Sequence, residues 1–218
     1  MAVIQTLMDG ATNIVIDKSF PTALTMSRGQ HLKTQARAPS TYKFSVGLYP
    51  AYNYADSRGL LEDYDATGRN TEEEITLSNS TGGSWIMDYQ GEFLSSDIDA
   101  ITVDSVNNAN IVLDVSGTSS AGAGTVLVEK GDYIQPASSR YSYQATAQVL
   151  RGSGSTVTVP INRAVFDEDG YTIAGKGIEV GVNCTFRVKM INQPTYSVVP
   201  GRYVSWSGDM ILTEVITS

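Results

Sequence analysis

One cysteine, one histidine and seven prolines in 218 residues leave little material for several whole classes of protein. Cys184 has no second thiol to pair with, which excludes a cystine-stapled scaffold. It sits in the strand-like run Val182–Val188 and reads as a buried structural thiol rather than a nucleophile or a ligand. His31 lies in a Gly-rich, basic stretch and has no partner for acid–base or metal chemistry. No apolar run reaches the length that spans a bilayer, so no membrane association is expected. The segment Met1–Asp9 lacks the basic region and apolar run of a signal peptide, and the expectation is a protein made and kept in a cytoplasm, or released from one without secretion.

Motifs that carry chemistry are missing as well. There is no Gly-rich phosphate loop, no Cys-x-x-Cys, no His-Glu-x-x-His and no Gly-x-Ser-x-Gly. Gly152–Ser155 is rich in glycine and serine, but it precedes a strand pattern rather than the helix that would cradle a phosphate. Asp97 with Asp99, and the run Asp167–Gly170, are carboxylate groups that fall short of the six or more oxygens of a calcium site and read as surface turns. The expectation is therefore no catalytic residue, no cofactor-binding residue, no metal ligand and no enzymatic activity. A β-rich hydrolase is the least supported alternative, because nothing marks two carboxylates across a cleft.

Charge is present but uneven. Positions 1–50 hold five basic and two acidic residues, positions 51–114 two and thirteen, and the remainder eight of each, for a net charge of −8. The acidic middle is a poor surface for nucleic acid, whose phosphates supply most non-specific affinity. It reads as a solvated loop region, with a docking surface for a basic partner, or a wall that must not hold a polyanion, as the functional readings.

Gly, Ser, Thr, Asn and Val are plentiful, and long runs of Ala, Leu, Glu and Lys are not, which favours strands and turns. Short alternating segments recur along the chain. Val3–Leu7 and Asn13–Ile16 suggest an opening hairpin around Asp9-Gly10, and Thr41–Tyr49 puts Tyr42, Phe44, Val46 and Leu48 on one face. Ser27–Arg37 is a basic segment that reads as solvated strand or loop, and Ser57–Asp65 as a short helix. Further strand candidates are Thr71–Leu77, Trp85–Tyr89 with Glu92–Leu94, Ile98–Val106, Asn110–Val115, Tyr171–Ala174, Ile178–Val180, Cys184–Ile191, Tyr196–Val199 and Tyr203–Ile216. The densest pattern lies in Thr125–Pro160, where Gly131-Asp132 reads as the turn of a hairpin and Tyr141–Leu150 as one continuous strand. The fold class expected is all-β: an antiparallel sandwich or barrel with at most one or two short helices.

Two groups of residues are candidates for contact with other molecules. Tyr49, Tyr52, Tyr54 and Tyr64 are interleaved with carboxylates, a composition shared by subunit interfaces and sugar platforms, and the interface reading is preferred. The small-residue loop Ser116–Gly124, with Ser119 and Gly122, is the second interface candidate. Trp85, Tyr89 and Trp206 would be the stacking surfaces of a carbohydrate-binding module, although tryptophans in strands are more often core.

Several segments taken together have a family likeness. Ser27-Arg-Gly-Gln30, Tyr42–Val46, Val126–Pro136 with its Gly131-Asp-Tyr-Ile-Gln135 core, Tyr143–Leu150, Val157–Pro160 and the closing Val204–Ile216 resemble the tail-tip proteins of tailed bacteriophages. An acidic, insert-like region near 52–115 departs from that pattern within what is read as one β-rich domain, 1–218. The resemblance implies a tail-tube-like β-sandwich without catalysis: a virion structural protein forming a ring at the distal end of the tail tube, as a distal-tail or baseplate-core subunit. The implied partners are copies of itself, a hexamer first and a trimer second, and other tail or baseplate proteins. DNA would pass through the lumen without specific binding, and the ring would be assembled in the host cytoplasm. The alternatives are the tail-tube protein itself and a carbohydrate-binding module of a receptor-binding complex.

Overall fold

Alternation along residues 41–47 buries every second side chain, and Tyr42, Phe44 and Val46 are fully enclosed. Each such side chain contributes roughly 1.5–3 kcal/mol of transfer free energy, enough to pin the register of the strand within its sheet. The computed structural model describes residues 3–26, 32–36, 39–49, 52–68, 71–77, 84–118, 120–166 and 170–216.

These residues fall into two compact units, Met1–Glu73 with Val188–Ile216 and, second, Glu74–Arg187. In chain order the first unit contributes helix α1 (Val3–Asp9), strands β1 (Asn13–Ser19), β2 (Thr22–Met26), β3 (Leu32–Ala36), β4 (Thr41–Gly47) and β5 (Tyr52–Asn53), helix α2 (Tyr54–Asp63) and a π-helical turn Tyr64–Gly68. Strand β6 (Glu72–Thr76) runs into the second unit, which holds a 3-10 turn Ser84–Met87, helix α3 (Ser95–Ile98), β7 (Thr102–Val106), β8 (Asn110–Asp114), β9 (Val126–Val128), β10 (Tyr133–Pro136), β11 (Tyr143–Gln144), β12 (Val149–Leu150), β13 (Thr156–Pro160), β14 (Ile178–Val180) and a 3-10 turn Gly181–Asn183. Strand β15 (Thr185–Asn192) returns to the first unit, completed by β16 (Thr195–Val199), β17 (Tyr203–Ser207) and β18 (Met210–Glu214).

The sheets run β1-β4-β18-β15-β6, β16-β17-β5, β2-β3, β11-β10-β14, β12-β9 and β13-β8-β7. Strand outweighs helix, 42% to 17%, so the fold is all-β and sandwich-like as expected, and among the described residues no sheet closes into a barrel. Three short α-helices are present rather than one or two.

The additional helix at the start replaces the first strand of the expected opening hairpin. Val3, Ile4, Leu7 and Met8 are buried together, which is the spacing of one helical face and not of a strand. The Glu73 carboxylate accepts the Val3 and Ile4 N–H groups at 3.1 and 2.9 Å, supplying acceptors to donors that a helix start leaves unpaired. Trp85–Tyr89 and Glu92–Leu94 are not strands either. The first is largely the 3-10 turn, and Glu92 clamps Val126 twice, by its own N–H to the Val126 carbonyl at 2.9 Å and by its carboxylate from the Val126 N–H at 3.0 Å. Tyr171–Ala174 forms no strand, its first residue being tied through the hydroxyl to the Ala137 carbonyl at 2.6 Å.

The stretch 125–160 also departs from a simple hairpin. Strand β9 pairs with β12, and β10 pairs with β11 and β14, so Gly131-Asp132 joins strands of different sheets. Gly131 has φ +110°, a backbone state that favours glycine. Its N–H bonds to the Ala145 carbonyl at 2.9 Å, and Ala145 N–H bonds to the Asp132 carbonyl at 2.8 Å. The expected strand Tyr141–Leu150 is thereby split into β11 and β12, leaving Ala147 exposed while Tyr141, Tyr143, Ala145 and Val149 stay buried. Strand β13 pairs with β8 in continuous register from Thr156–Asp114 to Pro160–Asn110.

Candidate functional site

Two surfaces stand out, one in each unit. In the first, the register of β16 against β17 places Tyr196 opposite Trp206 and Val198 opposite Val204, all on one face. Tyr64 is fully buried and meets the Trp206 ring edge-on at 5.4 Å, its hydroxyl donating to the Pro194 carbonyl at 2.7 Å. Tyr196 lies against the same indole at 5.4 Å. Its hydroxyl donates to the Asp65 carboxylate at 2.7 Å, and that bond, with some burial, pushes its pKa up to about 12. Burial and the neighbouring Asp9 carboxylate raise Tyr52, whose ring takes Tyr49 edge-on at 5.9 Å. Strand β16 is hydrogen-bonded on one side to β17 and ends that sheet, and its sequence Thr-Tyr-Ser-Val-Val carries no charge. Val198 on it is 50% exposed, Val199 37% and Tyr203, opposite Val199 on β17, 51%, while Tyr49, 48% exposed, packs on Tyr52 of β5 at the other end of the sheet order.

In the second unit, two grooves of about 700 and 220 Å³ flank the turn Gly181–Asn183 and share Glu179, Val182 and Asn183 in their walls. The turn is held against the other 3-10 turn: a Cβ on Gly181, which has φ +59°, would lie 2.6 Å from the Met87 carbonyl oxygen, so only glycine fits. Gln135 fixes the floor of the larger groove. Its side-chain N–H groups donate to the Ser139 carbonyl at 2.6 Å and the Thr185 hydroxyl at 3.1 Å, and its oxygen accepts the Thr185 N–H at 2.7 Å. Beside the smaller groove, the buried Asp132 carboxylate gathers the Gln90 and Glu129 N–H groups at 3.1 and 2.9 Å. Burial raises its pKa against the opposing pull of those bonds. Tyr89, a wall of the smaller groove, donates its hydroxyl to the Leu127 carbonyl, and burial pushes its pKa up to about 12. Glu74, Glu179, Asp88 and Asp99 contribute carboxylates to the two linings, and among the described residues neither lining includes Lys, Arg or His.

The sequence matches no protein-family model and no curated protein.

The residues singled out from the sequence are dispersed over both surfaces. Tyr49 is half-exposed, Tyr52 and Tyr54 are partly exposed, and Tyr64 belongs to the core, where it has no surface to offer a neighbour. Gly122 is exposed in its loop, and Ser119 lies outside the described residues, as do His31, Ser27–Gln30 and Asp167–Asp169. Trp206 is enclosed by two tyrosines, whereas Trp85 is 70% exposed. Asp97 is buried and accepts the Ser120 N–H at 3.3 Å as well as its hydroxyl, while Asp99 lines the smaller groove. Cys184 is fully buried and burial raises its thiol pKa strongly, as a structural thiol requires. Among the described residues no three His, Cys, Asp or Glu side chains converge as a metal ion would need. Of the larger groove's residues, Gln135 was noted only as part of the Gly131–Gln135 core and not as a site; Glu74, Glu179, Asn183 and Thr185 were not singled out, because they are scattered over more than 100 positions and share no motif. The one local signal is Gly181 within an otherwise strand-like run, a mark of close backbone approach.

Proposed function

We propose that this chain is a structural subunit of a tailed-phage virion, assembling into a ring at the distal end of the tail tube as a distal-tail or baseplate-core protein. The observation that carries the reading is the β16 edge. Soluble proteins usually protect a sheet edge with charge, a bulge or a covering loop, because its free N–H and C=O groups invite another strand. Here five uncharged residues form the edge and valines 198 and 199 are exposed on it, with Tyr203 opposite Val199. Such an edge suits a heterologous contact repeated from copy to copy, and a rotation that closes makes a ring. The family resemblance of the sequence supports the same assignment. The net charge of −8 suits a channel wall along which DNA slides without being held.

Native mass spectrometry and negative-stain imaging of the purified protein test this directly. Discrete rings, hexamers first and trimers second, are the expected result. Long tubes would reassign the chain to the tail tube itself, and a monomer at every concentration would overturn the proposal. Val198→Lys, a charge on the free edge at a half-exposed position, abolishes the ring while leaving the circular dichroism of the fold unchanged.

A further inference from the structure

We infer that the paired grooves astride Gly181–Asn183 form a binding site for a short neutral or amino-sugar oligosaccharide. The site lies wholly within the second unit and is independent of the ring contact. The larger groove, at about 700 Å³, is within the size range of small-molecule sites. Its lining is hydroxyl, amide and carboxylate: Thr76, Thr185, Asn183, Glu74 and Glu179 among them. These groups match the vicinal hydroxyls of a pyranose, which donate to carboxylates and accept from amides.

Charge narrows the ligand. Among the described residues four carboxylates and no cation line the two grooves, so a phosphate, a sulfate or an acidic sugar is repelled, and a neutral or protonated amino sugar is accepted. The groove is also prepared in advance. Gln135 is locked by its bonds to Ser139 and Thr185, and the Gly181 turn is locked against Met87, so binding does not have to order the floor.

Sugar sites add an aromatic surface for the C–H face of the ring, and Trp85 supplies one. It stands 70% exposed on the 3-10 turn Ser84–Met87, which runs directly into Asp88 and Tyr89 in the wall of the smaller groove. Trp85 is in the lining of neither groove, and an indole open to water three residues before the Asp88 wall offers the flat apolar face that sugar stacking uses.

Titration of the intact chain with chitotriose, maltotriose and a chitosan trimer, followed by calorimetry and by tryptophan fluorescence in a Trp206→Phe background, tests the inference, with heparin tetrasaccharide as the anionic probe. At least one neutral or amino-sugar probe is expected to saturate, shifting the Trp85 emission, while the heparin probe does not. Trp85→Ala and Glu179→Gln should each weaken that binding by about tenfold or more, equivalent to about 1.4 kcal/mol. Trp85 is too exposed for its loss to unfold the protein, and Glu179→Gln keeps the side-chain shape. Saturation by none of the three probes overturns the inference, as does equal binding of heparin, or binding unchanged in both variants. If Trp85→Ala dissolves the ring without altering sugar binding, the residue is a subunit contact and the sugar site as drawn is wrong.

Discussion

Gln135→Leu replaces a buried amide with an apolar side chain of similar length, and its cost can be worked from the bonds that Gln135 makes. The amide is 3% exposed. Its loss strands the Thr185 N–H now bonded at 2.7 Å and removes the 2.6 Å bond to the Ser139 carbonyl. Leaving a buried polar group unpaired costs about 1–3 kcal/mol and losing a hydrogen bond about 0.5–1.5 kcal/mol, so the two come to roughly 1.5–4.5 kcal/mol. The Ser142 hydroxyl loses a 3.3 Å bond to Gln135 but keeps its bond to the Thr185 carbonyl at 2.6 Å, and the half-buried Thr185 hydroxyl finds water, so neither adds much. Taking about 3 kcal/mol, and about 2–4 °C per kcal/mol for a chain of this size, Tm falls by roughly 6–12 °C. Urea unfolding followed by circular dichroism measures the same loss as a lower midpoint at unchanged slope. Gln135→Glu is the informative companion. Protonated, its carboxyl can still donate to Ser139; ionised, it sets a buried charge against that carbonyl, so its folded pKa is raised. A raised pKa means the variant is closest to wild type below the unfolded carboxyl value and loses ground as pH rises through the folded value. A Gln135→Leu protein within about 0.5 kcal/mol of wild type, or a Gln135→Glu deficit that is flat from pH 4 to 8, would refute the account.

Glu73→Ala removes the acceptor of two helix-starting N–H groups and is expected to cost about 1–2 kcal/mol, with hydrogen-exchange protection lost at Leu7 and Met8, and Glu73→Gln recovers part of it; unchanged protection would show that α1 stands without its cap. Absorbance at 295 nm should show tyrosine ionisation in two limbs, with Tyr89 and Tyr196 in the later one near pH 12. Because both pKa values are raised in the folded protein, the stability they contribute is intact below about pH 10 and is lost as pH climbs from there through 12. Tyr196→Phe should subtract one group from the later limb, and subtraction from the earlier limb would mean that the Asp65 bond does not form in solution.

Much of this architecture was legible because alternation is local information. Tyr42, Phe44, Val46 and Leu48 declare a half-buried strand, and Pro200-Gly201, with Gly201 at φ +103°, separates β16 from β17 where a turn was expected. A short helix was expected over Ser57–Asp65, and α2 runs Tyr54–Asp63, three residues earlier at its start because Asn53 caps it by accepting the Ala55 N–H at 3.0 Å. What failed was the reading of short apolar runs, since Val3–Leu7 satisfies a strand template as readily as a helical one. The acceptor that tips it toward helix, Glu73, lies about 70 residues away. Pairing partners were equally out of reach: a Gly-Asp turn between two strand patterns suggests a hairpin, but Asp132 spends its carboxylate on Gln90 and Glu129 and sends the two strands to different sheets.

The same distinction governs the two surfaces. Tyrosines near 49–64 could be counted from the sequence, but which of them faces water is decided by β17, about 140 residues downstream, whose Trp206 draws Tyr64 inward and leaves Tyr49 out. The free side of β16 is likewise a property of the sheet, because an uncharged strand is ordinary inside a sheet and conspicuous only when, as among the described residues, no strand pairs with its outer side. The grooves follow from one backbone event, the close approach of Gly181 to Met87, which fixes the turn from whose flanks Glu179 and Asn183 join both linings. Gly181→Ala therefore discriminates between the two surfaces: the added methyl meets the Met87 carbonyl and should distort the grooves and weaken sugar binding, while ring assembly through the β16 edge is expected to persist.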